Sequence, residues 1–424
     1  MIEKIGFDPD IWRTAMNLET ISGNAAFSFL SHFDYIRESG TAGEAAAAKQ
    51  LAVLLETLGL HPLTEEFSVP HCRIKRAFFR ITKPFVKEYP VAGLRGSGAC
   101  DLLRREFVYV EEGDDISLSR AAGKIILLSH RPGLREYRRL ADSGAAGLVC
   151  VCGTPVDTGD DRIPQENKLS PSPSGTLPAV LLHYQDAREI VERGAAEAEL
   201  LLEPEYTQAV SRNVVVRIPG RKKPEEILAL TAHYDSVSNG KGAYDNLSGT
   251  AIVFALCRYF ARNPPCRTLE FCFFGSEEIG CLGSRDYVNR RQDTLSRYLL
   301  NLNVDLAGQA LGGTVLGVTG DESLCRVLES RLWDWGIGAR LRQAVWSGDA
   351  NVFAWKGIPA VTLDRDGFGM HTRHDTIDLI SPWALERDAR LLALLTDFFD
   401  RAEEMPFSRE IPRDFSQALE EQLG

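Results

Sequence analysis

The chain has 424 residues, 44% of them apolar and 25% charged, a composition typical of a soluble globular protein with room for two or three domains. Its formal net charge of −11 argues against nucleic acid as a partner. No apolar run in the sequence approaches the roughly 20 residues that a membrane-spanning helix needs. We therefore expect neither a nucleic-acid partner nor a membrane partner.

The N-terminus and the cysteines predict a cytoplasmic location. Residues 1–16 have no basic head followed by an apolar stretch, so they do not resemble a secretory signal. The nine cysteines are an odd number and are scattered, and Cys150 and Cys152 are too close together for a metal knuckle. We interpret them as reduced, mostly buried thiols of a cytosolic protein.

The first half of the chain is predicted to contain helices, a β-rich segment and a small separate domain. Residues 1–60 favour helix, and Gly59 ends the alanine- and leucine-rich run 42–60. Alternating polar and apolar residues over 65–85 favour strands. The block 93–208 alternates strands with helices, and we interpret it as an inserted domain that stabilises itself. Its predicted elements are strand 123–130, helix 134–146, strand 147–153, a polar loop over 154–176, strand 178–183 and helix 185–195.

From residue 209 onward, near-continuous apolar strands alternate with helices. The predicted elements are strands 226–233, 268–275, 300–308, 314–320 and 358–364, and helices 248–263, 282–291 and 382–402. This pattern predicts an α/β fold with a mostly parallel, twisted central sheet and helices on both faces, where ligands bind at the carboxyl ends of the strands. The predicted domains are a larger one made of 1–92 and 209–405, the inserted α/β domain 93–208, and a C-terminal tail 406–424.

Ionisable residues follow the ends of four predicted strands. They are His233, Asp235, Asp245, Glu277, Glu278, Asp305 and His371. Carboxylates packed at one edge repel one another unless a cation lies between them. Two imidazoles with three or more carboxylates suit zinc, manganese or cobalt used in catalysis. Five protein ligands exceed what a single zinc ion needs, so the sequence predicts two metal ions.

Several roles within this set stay open from the residues alone. The spacing of Asp235 puts it on the same strand face as His233, where it suits orienting the imidazole. Of the adjacent Glu277 and Glu278, one can bind metal while the other exchanges protons. Either histidine in 371-HTRHDT-376 can be the ligand. Taken one at a time, each residue also has an ordinary structural explanation.

Five segments in the same order carry a family resemblance. They are 233-HYDS-236, 243-AYDNLSGTA-251, 277-EEIGCLGS-284, 303-NVDLAG-308 and 371-HTRHDT-376. They resemble the metal-site motifs of the M28 family of di-zinc metallopeptidases, which includes aminopeptidases and some carboxypeptidases. The resemblance covers residues 209 to about 400 and extends to the N-terminal helix at 40–61. The insert resembles a protease-associated (PA) domain, which many family members carry at this place.

The resemblance implies a role for each residue of the set. The implied ligands are His233, Asp245 and Asp305 at one zinc ion and Asp245, Glu278 and His371 at the other. Glu277 would be the general base and acid, and Asp235 would support His233. The family's His-Thr-x-x-Asp-Thr order begins at His371, which favours this residue over His374.

Two local features accompany these roles. The family holds the peptide bond after the bridging aspartate in cis, here Asp245–Asn246. The chain departs from the family's Ser-Asp-His pattern in 347-SGDANVFAWKGIPAV-361, where Asp349 matches but Gly348 and Ala350 replace the serine and the histidine. No implied ligand is lost, so we expect hydrolysis with an altered substrate pocket.

The implied function is a zinc-dependent exopeptidase, an aminopeptidase that releases N-terminal residues from peptide substrates. A metal-bridging hydroxide would attack the scissile carbonyl while Glu277 accepts the proton and returns it to the leaving amine. We expect two zinc ions per chain, with manganese or cobalt as alternatives. The PA-like insert would limit access to short peptides or mediate contacts in a homodimer.

Three alternatives stay open. A carboxypeptidase or dipeptidase of the same fold needs arginines for a substrate carboxylate, for which Arg365 and Arg373 are available. A glutaminyl cyclase-like transferase keeps one zinc ion in an enclosed aromatic pocket. A receptor-like binding module has lost metal ligands. The residues considered for the amine and side-chain pockets of an aminopeptidase are Asp364, Asp366, Phe368 and Trp346.

Overall fold

The structure is a computed structural model that describes residues 18–346 and 348–424. The predictions for residues 1–17, including the absent secretory signal, and for Ser347 lie outside the described residues. The chain forms two compact units. The larger one contains the residues up to Val69 together with Val210–Gly424, and the smaller one is Pro70–Ala209.

The regular elements are numbered here in chain order. The helices are α1 (Gly23–Leu30), α2 (Ala42–Glu56), α3 (Asp115–Leu118), α4 (Leu134–Asp142), α5 (Tyr184–Glu192), α6 (Ser248–Arg262), α7 (Leu282–Arg290), α8 (Glu322–Asp334), α9 (Asp349–Trp355), α10 (Pro382–Arg401) and α11 (Arg413–Leu423). Single 3-10 turns lie at Leu18–Thr20, Ser31–Phe33, Gly159–Arg162, Gln292–Arg297 and Ile377–Leu379.

The strands are numbered in the same way. They are β1 (Leu63–Lys83), β2 (Lys87–Tyr89), β3 (Val91–Arg95), β4 (Cys100–Tyr109), β5 (Ile125–Leu128), β6 (Gly147–Cys152), β7 (Asn167–Lys168), β8 (Ala179–His183), β9 (Glu197–Ile218), β10 (Lys223–His233), β11 (Arg267–Phe274), β12 (Tyr298–Val304), β13 (Thr314–Thr319), β14 (Arg340–Gln343) and β15 (Ala360–Arg365).

The larger unit is built on a mostly parallel sheet with strand order β14-β13-β15-β12-β10-β11-β9. Strand β10 lies at its centre and pairs in parallel with β11 and β12, and β12 pairs in parallel with β15. The antiparallel pairs are β13 with β15 and β9 with β11. The predicted α/β fold with a mostly parallel central sheet is therefore confirmed.

Two apolar cores, one on each face of this sheet, hold its helices. Leu228 and Leu230 of β10 belong to a core shared with α1, α2, α6, α8 and α10. Ile227 and Ala229, which alternate with them, belong to a second core shared with α7, α9 and α11. Since successive strand residues point to opposite faces, the continuous apolar run in β10 is what a sheet covered on both sides requires.

The smaller unit is an α/β unit with its own two cores. Strands β4, β5, β6 and β8 pair in parallel, β3 pairs antiparallel with β8 and in parallel with β7, and β4 pairs antiparallel with β9. Ile125 and Leu127 of β5 pack into one core, while Ile126 and Leu128 pack into the other. The smaller unit therefore has two apolar cores of its own.

The boundaries of the units differ from those expected from the sequence. The smaller unit is Pro70–Ala209 rather than 93–208. The chain passes from one unit to the other inside the long strands β1 and β9, where no turn or change of composition marks the transition. The segment 406–424 is no tail, because its helix α11 buries Leu419 and Leu423 in a core of the larger unit.

Among the helices of the described residues, none is both long enough and apolar enough to cross a bilayer.

Candidate metal centre

The residues predicted to bind metal meet at one edge of the larger unit's sheet. His233 is the last residue of β10, Glu277 and Glu278 follow β11, and Asp305 directly follows β12. His371 lies in the loop after β15. These four strands are neighbours in the sheet and run in the same direction, so their carboxyl ends deliver the side chains to one place.

Asp245 reaches this edge from a kinked turn, Ala243–Leu247, in which Asp245 and Asn246 have non-helical backbone angles and which leads into α6. The peptide bond between Asp245 and Asn246 is cis, as expected. The side-chain amide of Asn246 donates to the carbonyl of Val304 at 2.8 Å, and its side-chain oxygen accepts the N–H of Gly249 at 3.1 Å. These bonds fix the turn against the end of β12.

The predicted ligands form two groups of three that share Asp245. In the first group, Nε2 of His233 lies 3.2 Å from Oδ1 of Asp245 and 3.4 Å from Oδ1 of Asp305. In the second, Nε2 of His371 lies 3.0 Å from Oδ2 of Asp245 and 3.1 Å from Oε2 of Glu278. The two oxygens of Asp245 therefore face different histidines, and within each group the ligand atoms lie within 4.8 Å of one another.

Buried polar atoms in this cluster are suited to binding a cation. Nε2 of His233 and Oδ1 of Asp305 are buried and make no hydrogen bond to the described residues, although they face each other. Such atoms cost free energy unless something satisfies them. Imidazole nitrogens and carboxylate oxygens are ligands of zinc in catalytic sites. The residues present therefore fit two zinc ions.

The electrostatics of the cluster also favour positive charge. Hydrogen bonds to Asp245 and Glu278 raise the pKa of His371 to about 10, although burial opposes the shift. Burial lowers the pKa of His233, but the nearby carboxyl groups of Asp235, Asp245 and Asp305, each within 3.4 Å of a ring nitrogen, raise it by more, to well above the ordinary value. The negative field that causes these shifts also attracts metal cations.

Glu277 lies beside both groups and belongs to neither. Its Oε2 is 3.9 Å from Nε2 of His233, and its Oε1 accepts a hydrogen bond from Sγ of Cys281 at 3.3 Å. Burial raises the pKa of Glu277 well above its usual value; the charge of His233 opposes this shift and those of Asp349 and Asp305 add to it. A carboxyl group with a raised pKa is suited to taking up and releasing a proton near neutral pH.

Asp235 connects His233 to the two glutamates. Its Oδ1 lies 3.4 Å from Nδ1 of His233 and accepts the backbone N–H of Glu277 at 3.0 Å. Its Oδ2 accepts the backbone N–H of Glu278 at 3.2 Å and the hydroxyl of Ser39 at 2.9 Å. One buried carboxylate thus fixes both the imidazole and the turn that carries the glutamates.

Of the two histidines in 371-HTRHDT-376, the structure places His371 in the cluster, while His374 belongs to neither ligand group. The backbone N–H of His374 donates to the hydroxyl of Thr372 at 3.2 Å. Asp375, from the same segment, accepts the backbone N–H groups of Tyr244 and Asp245.

The residues considered for substrate binding lie in different environments. Arg365 is buried and donates to the carbonyl of Gln309 at 2.5 Å and to the hydroxyl of Thr314 at 3.1 Å. Asp366 is paired with Arg340. The contacts of Arg365 keep its buried guanidinium in the loops around β15, so Arg365 is not available to a substrate.

Asp364 stays available as a substrate-binding residue. Burial and the neighbouring charge of Asp305 raise the pKa of Asp364 to about 7. Phe368 is 80% exposed. The ring of Trp346 lies flat against Gly317, where a β-carbon would come within 2.6 Å of it, so Trp346 has a packing role in the structure.

The segment that departs from the family pattern approaches the cluster through its backbone. Gly348 has φ +91°, and a β-carbon there would lie 2.9 Å from Oδ2 of Asp305 and 3.6 Å from Oε1 of Glu277. The next residue, Asp349, is buried and its Oδ1 accepts the hydroxyl of Ser284 at 2.5 Å. The family's serine is replaced by the residue type that fits this close approach.

Comparison with known proteins agrees with this geometry. Residues 213–396 match the model of Peptidase family M28. This segment is therefore similar to the peptidases of family M28. It contains every residue of the two ligand groups as well as Glu277 and Asp235.

Two curated relatives match this chain over part of their length. Over 190 residues, 44% of this chain, it is 33% identical to the aminopeptidase YwaD of Bacillus subtilis, of which it covers 40%. Over 133 residues, 31% of this chain, it is 35% identical to the vacuolar membrane protease of Saccharomyces cerevisiae, of which it covers 13%. The chain therefore spans less than half of the length of either relative.

Solved structures share the fold over almost the whole chain. BSAP, a zinc aminopeptidase from Bacillus subtilis, superposes with a TM-score of 0.78 at 22% identity, covering 93% of this chain and 99% of its own. An aminopeptidase from Aneurinibacillus sp. strain AM-1 superposes with a TM-score of 0.72 at 21% identity, covering 92% and 96%. These structures thus share the fold of this chain over both of its units.

Proposed function

We propose that the protein is a zinc-dependent aminopeptidase that removes N-terminal residues from peptides. The observation that carries the proposal is the pair of complete ligand groups sharing Asp245, with Glu277 beside them. The match to an M28 peptidase domain and the relatives named as aminopeptidases support it. We propose two zinc ions per chain, since each group supplies three protein ligands and a catalytic zinc site keeps its fourth position for water or substrate.

In this proposal the chain's own residues position and protonate the reactants. Bound zinc would polarise the scissile carbonyl and lower the pKa of water from 15.7 to about 7. Glu277 takes the proton from the attacking water and returns it to the leaving amine. Asp235 holds Glu277 in place through its backbone N–H and orients His233 through Nδ1. The raised pKa of Glu277 makes its carboxylate a stronger base, which favours uptake of the proton from water.

The burial of Arg365 removes one of the two arginines considered for a carboxypeptidase. A carboxypeptidase needs an accessible cation to bind the substrate's terminal carboxylate. Arg365 is buried, and its guanidinium donates to Gln309 and Thr314 instead. Asp364, whose register places it next to Asp305, offers a carboxylate for a substrate α-amine. We propose Asp364 for that role.

The complete second ligand group distinguishes the proposal from its two other rivals. A glutaminyl cyclase-like transferase needs one zinc ion, and a receptor-like module needs none. Here His371 and Glu278 complete a second group with Asp245, and Glu277 lies beside the first group.

A substrate panel tests the proposal. Aminoacyl-anilides, N-blocked dipeptides and peptides with a blocked carboxyl terminus would be incubated with the full chain, with and without chelator. We expect cleavage of substrates with a free α-amine only, loss of that cleavage with chelator, and recovery with zinc. Cleavage that required a free carboxylate would support the carboxypeptidase instead. Turnover of N-terminal glutamine without hydrolysis would support the transferase.

The identity of the smaller unit as a PA domain, its effect on peptide access and a homodimeric state stay predictions. The unit's own α/β cores support its independence as a module. Sedimentation of the purified chain would measure the oligomeric state.

A further inference from the structure

Arg37 is a buried cation next to the metal centre, and no pattern in the sequence singles it out. Arg37 and Arg267 are among the largest fully buried side chains of the described residues. The guanidinium of Arg37 donates from Nε to the carbonyl of Tyr234 at 2.6 Å, and from Nη1 and Nη2 to the carbonyls of Lys241 and Gly242 at 2.7 and 3.0 Å. It also donates from Nη1 to the carbonyls of Phe33 and Tyr35.

The carbonyls of Tyr234, Lys241 and Gly242 belong to one loop of the metal centre. The loop 234–242 follows the ligand His233 and precedes the turn that carries Asp245. Arg37 therefore binds the first and the last residue of this loop at once. A planar guanidinium with five donors can do this, whereas an ammonium group cannot reach such separated acceptors in one geometry.

The backbone around Arg37 strengthens the same connection. The N–H of Arg37 donates to the hydroxyl of Ser236 at 2.9 Å, and the N–H of Ser236 donates to the carbonyl of Arg37 at 3.2 Å. Two residues later, Ser39 donates to Asp235. Glu44, at the start of α2, accepts a hydrogen bond at 3.2 Å from the hydroxyl of Ser276, which is the residue before Glu277.

The charge of Arg37 also faces the acids that support the ligands. Burial lowers the pKa of Arg37 to about 10, and the charges of Asp235 and Asp375 oppose this shift, so the residue is cationic at neutral pH. Asp235 and Asp375 are the two carboxylates that hold the backbone of the glutamates and of Asp245. Burial raises the pKa of Asp375 to about 6, and the charge of Arg37 opposes this rise.

We propose that Arg37 is a positioning residue of the metal centre, which closes the loop 234–242 and thereby holds Asp245 between the two ligand groups. The inference rests on the proposed function for the identity of the metal, and it concerns a residue that touches neither metal nor substrate. Because Asp245 serves both groups, Arg37 acts on both metal sites together.

The chain offers a matched control in Arg267. Arg267 is equally buried and donates from Nη1 to the carbonyls of Phe399, Asp400 and Ala402, at the start of β11, which is the opposite end of the sheet from the metal centre. Replacing either arginine leaves buried carbonyls without donors, at about 1–3 kcal/mol for each. Both replacements therefore cost stability, and only one of them lies at the metal centre.

The experiment compares Arg37→Lys and Arg37→Met with Arg267→Lys and Arg267→Met in the full chain. It measures zinc affinity by competition with a chelator, the thermal midpoint, and kcat and KM at saturating zinc. We expect both pairs to lose thermal stability. The Arg37 variants alone should bind both zinc ions about 10–100-fold more weakly and lose kcat with KM changed less than about twofold, with Arg37→Lys the milder of the two.

Unchanged zinc affinity in Arg37→Met, or equal weakening in Arg267→Met, would overturn the inference. If Arg37→Met does not fold, the zinc affinity of Arg37→Lys tests the inference, because lysine keeps the positive charge but lacks the planar guanidinium with its several donors. If the unaltered chain binds zinc but has no peptidase activity, the proposed function is contradicted. The zinc affinities of the variants would still test the inference about Arg37. No zinc binding by the unaltered chain would overturn both.

Discussion

Asp375 holds Asp245 by its backbone: Oδ2 of Asp375 accepts the N–H of Asp245 at 3.0 Å. Its Oδ1 accepts the neighbouring N–H of Tyr244 at 2.6 Å. Asp375 lies four residues after His371, so one short segment supplies a ligand to the second group and fixes the aspartate that both groups share. The position of Asp245 thus depends on the loop after β15 as well as on its own turn.

We predict that Asp375→Asn weakens zinc binding. The asparagine oxygen can accept one of the two N–H groups, but its NH₂ group then faces the other donor. The turn around Asp245 should shift, and zinc affinity should fall about 10–100-fold, as it does for other residues that orient metal ligands. Chelator competition on the purified variant measures this.

Asp400 provides the control for Asp375→Asn. It accepts two consecutive backbone N–H groups in the same way, from Cys266 at 2.8 Å and Arg267 at 2.6 Å, at the start of β11. Asp400→Asn should lower the thermal midpoint by a similar amount and leave zinc affinity unchanged. Equal zinc affinities in the two variants would show that the contact to Asp245 has no bearing on the metal centre.

The shared ligand predicts the zinc content of two further variants. His371→Ala removes a ligand of one group only, so it should retain about one zinc ion per chain, whereas Asp245→Ala should retain none, because it removes a ligand from both groups. Elemental analysis after dialysis measures the content. Equal zinc content in the two variants would contradict the sharing of Asp245.

Glu277→Gln separates metal binding from catalysis. Glutamine keeps the shape of the side chain but cannot accept a proton from water, so kcat should fall by about 10²–10⁴-fold. Zinc content should stay at the level of the unaltered chain, since Glu277 belongs to neither ligand group. Glu278→Gln is the comparison, and it should lose zinc. Full activity in Glu277→Gln would assign the proton transfer to another residue.

The meeting of the strand-end residues in one cluster was predictable because their signal is local. His233 and Asp235 end an apolar strand, and Glu277, Glu278 and Asp305 follow two others, so the rule that parallel strands end at one edge was enough to bring them together. The second histidine needed the resemblance, since the residues alone did not distinguish the two candidates in 371-HTRHDT-376.

The position of Arg37 next to the metal centre could not be predicted, because the sequence does not show which groups it contacts. Arg37 bonds to backbone carbonyls, which every residue has, and 197 positions separate it from Tyr234. The unit boundaries were misplaced for a related reason. Strands β1 and β9 continue through the transition, and pairing between distant strands is not visible in composition or periodicity.

Gly348 gives the last prediction, because its backbone comes closer to the cluster than any substituted residue could. A β-carbon would lie 2.9 Å from Oδ2 of Asp305, so Gly348→Ala should displace this ligand, and φ +91° adds strain of about 1–2 kcal/mol. Gly357, with φ +78° and no atom within 4 Å of a β-carbon, is the control for strain alone. Gly348→Ala should lose about tenfold or more in zinc affinity, in line with other changes around metal ligands, and Gly357→Ala should lose only stability. If chelator competition found the same affinity in both, the close approach of Gly348 to Asp305 would have no part in metal binding.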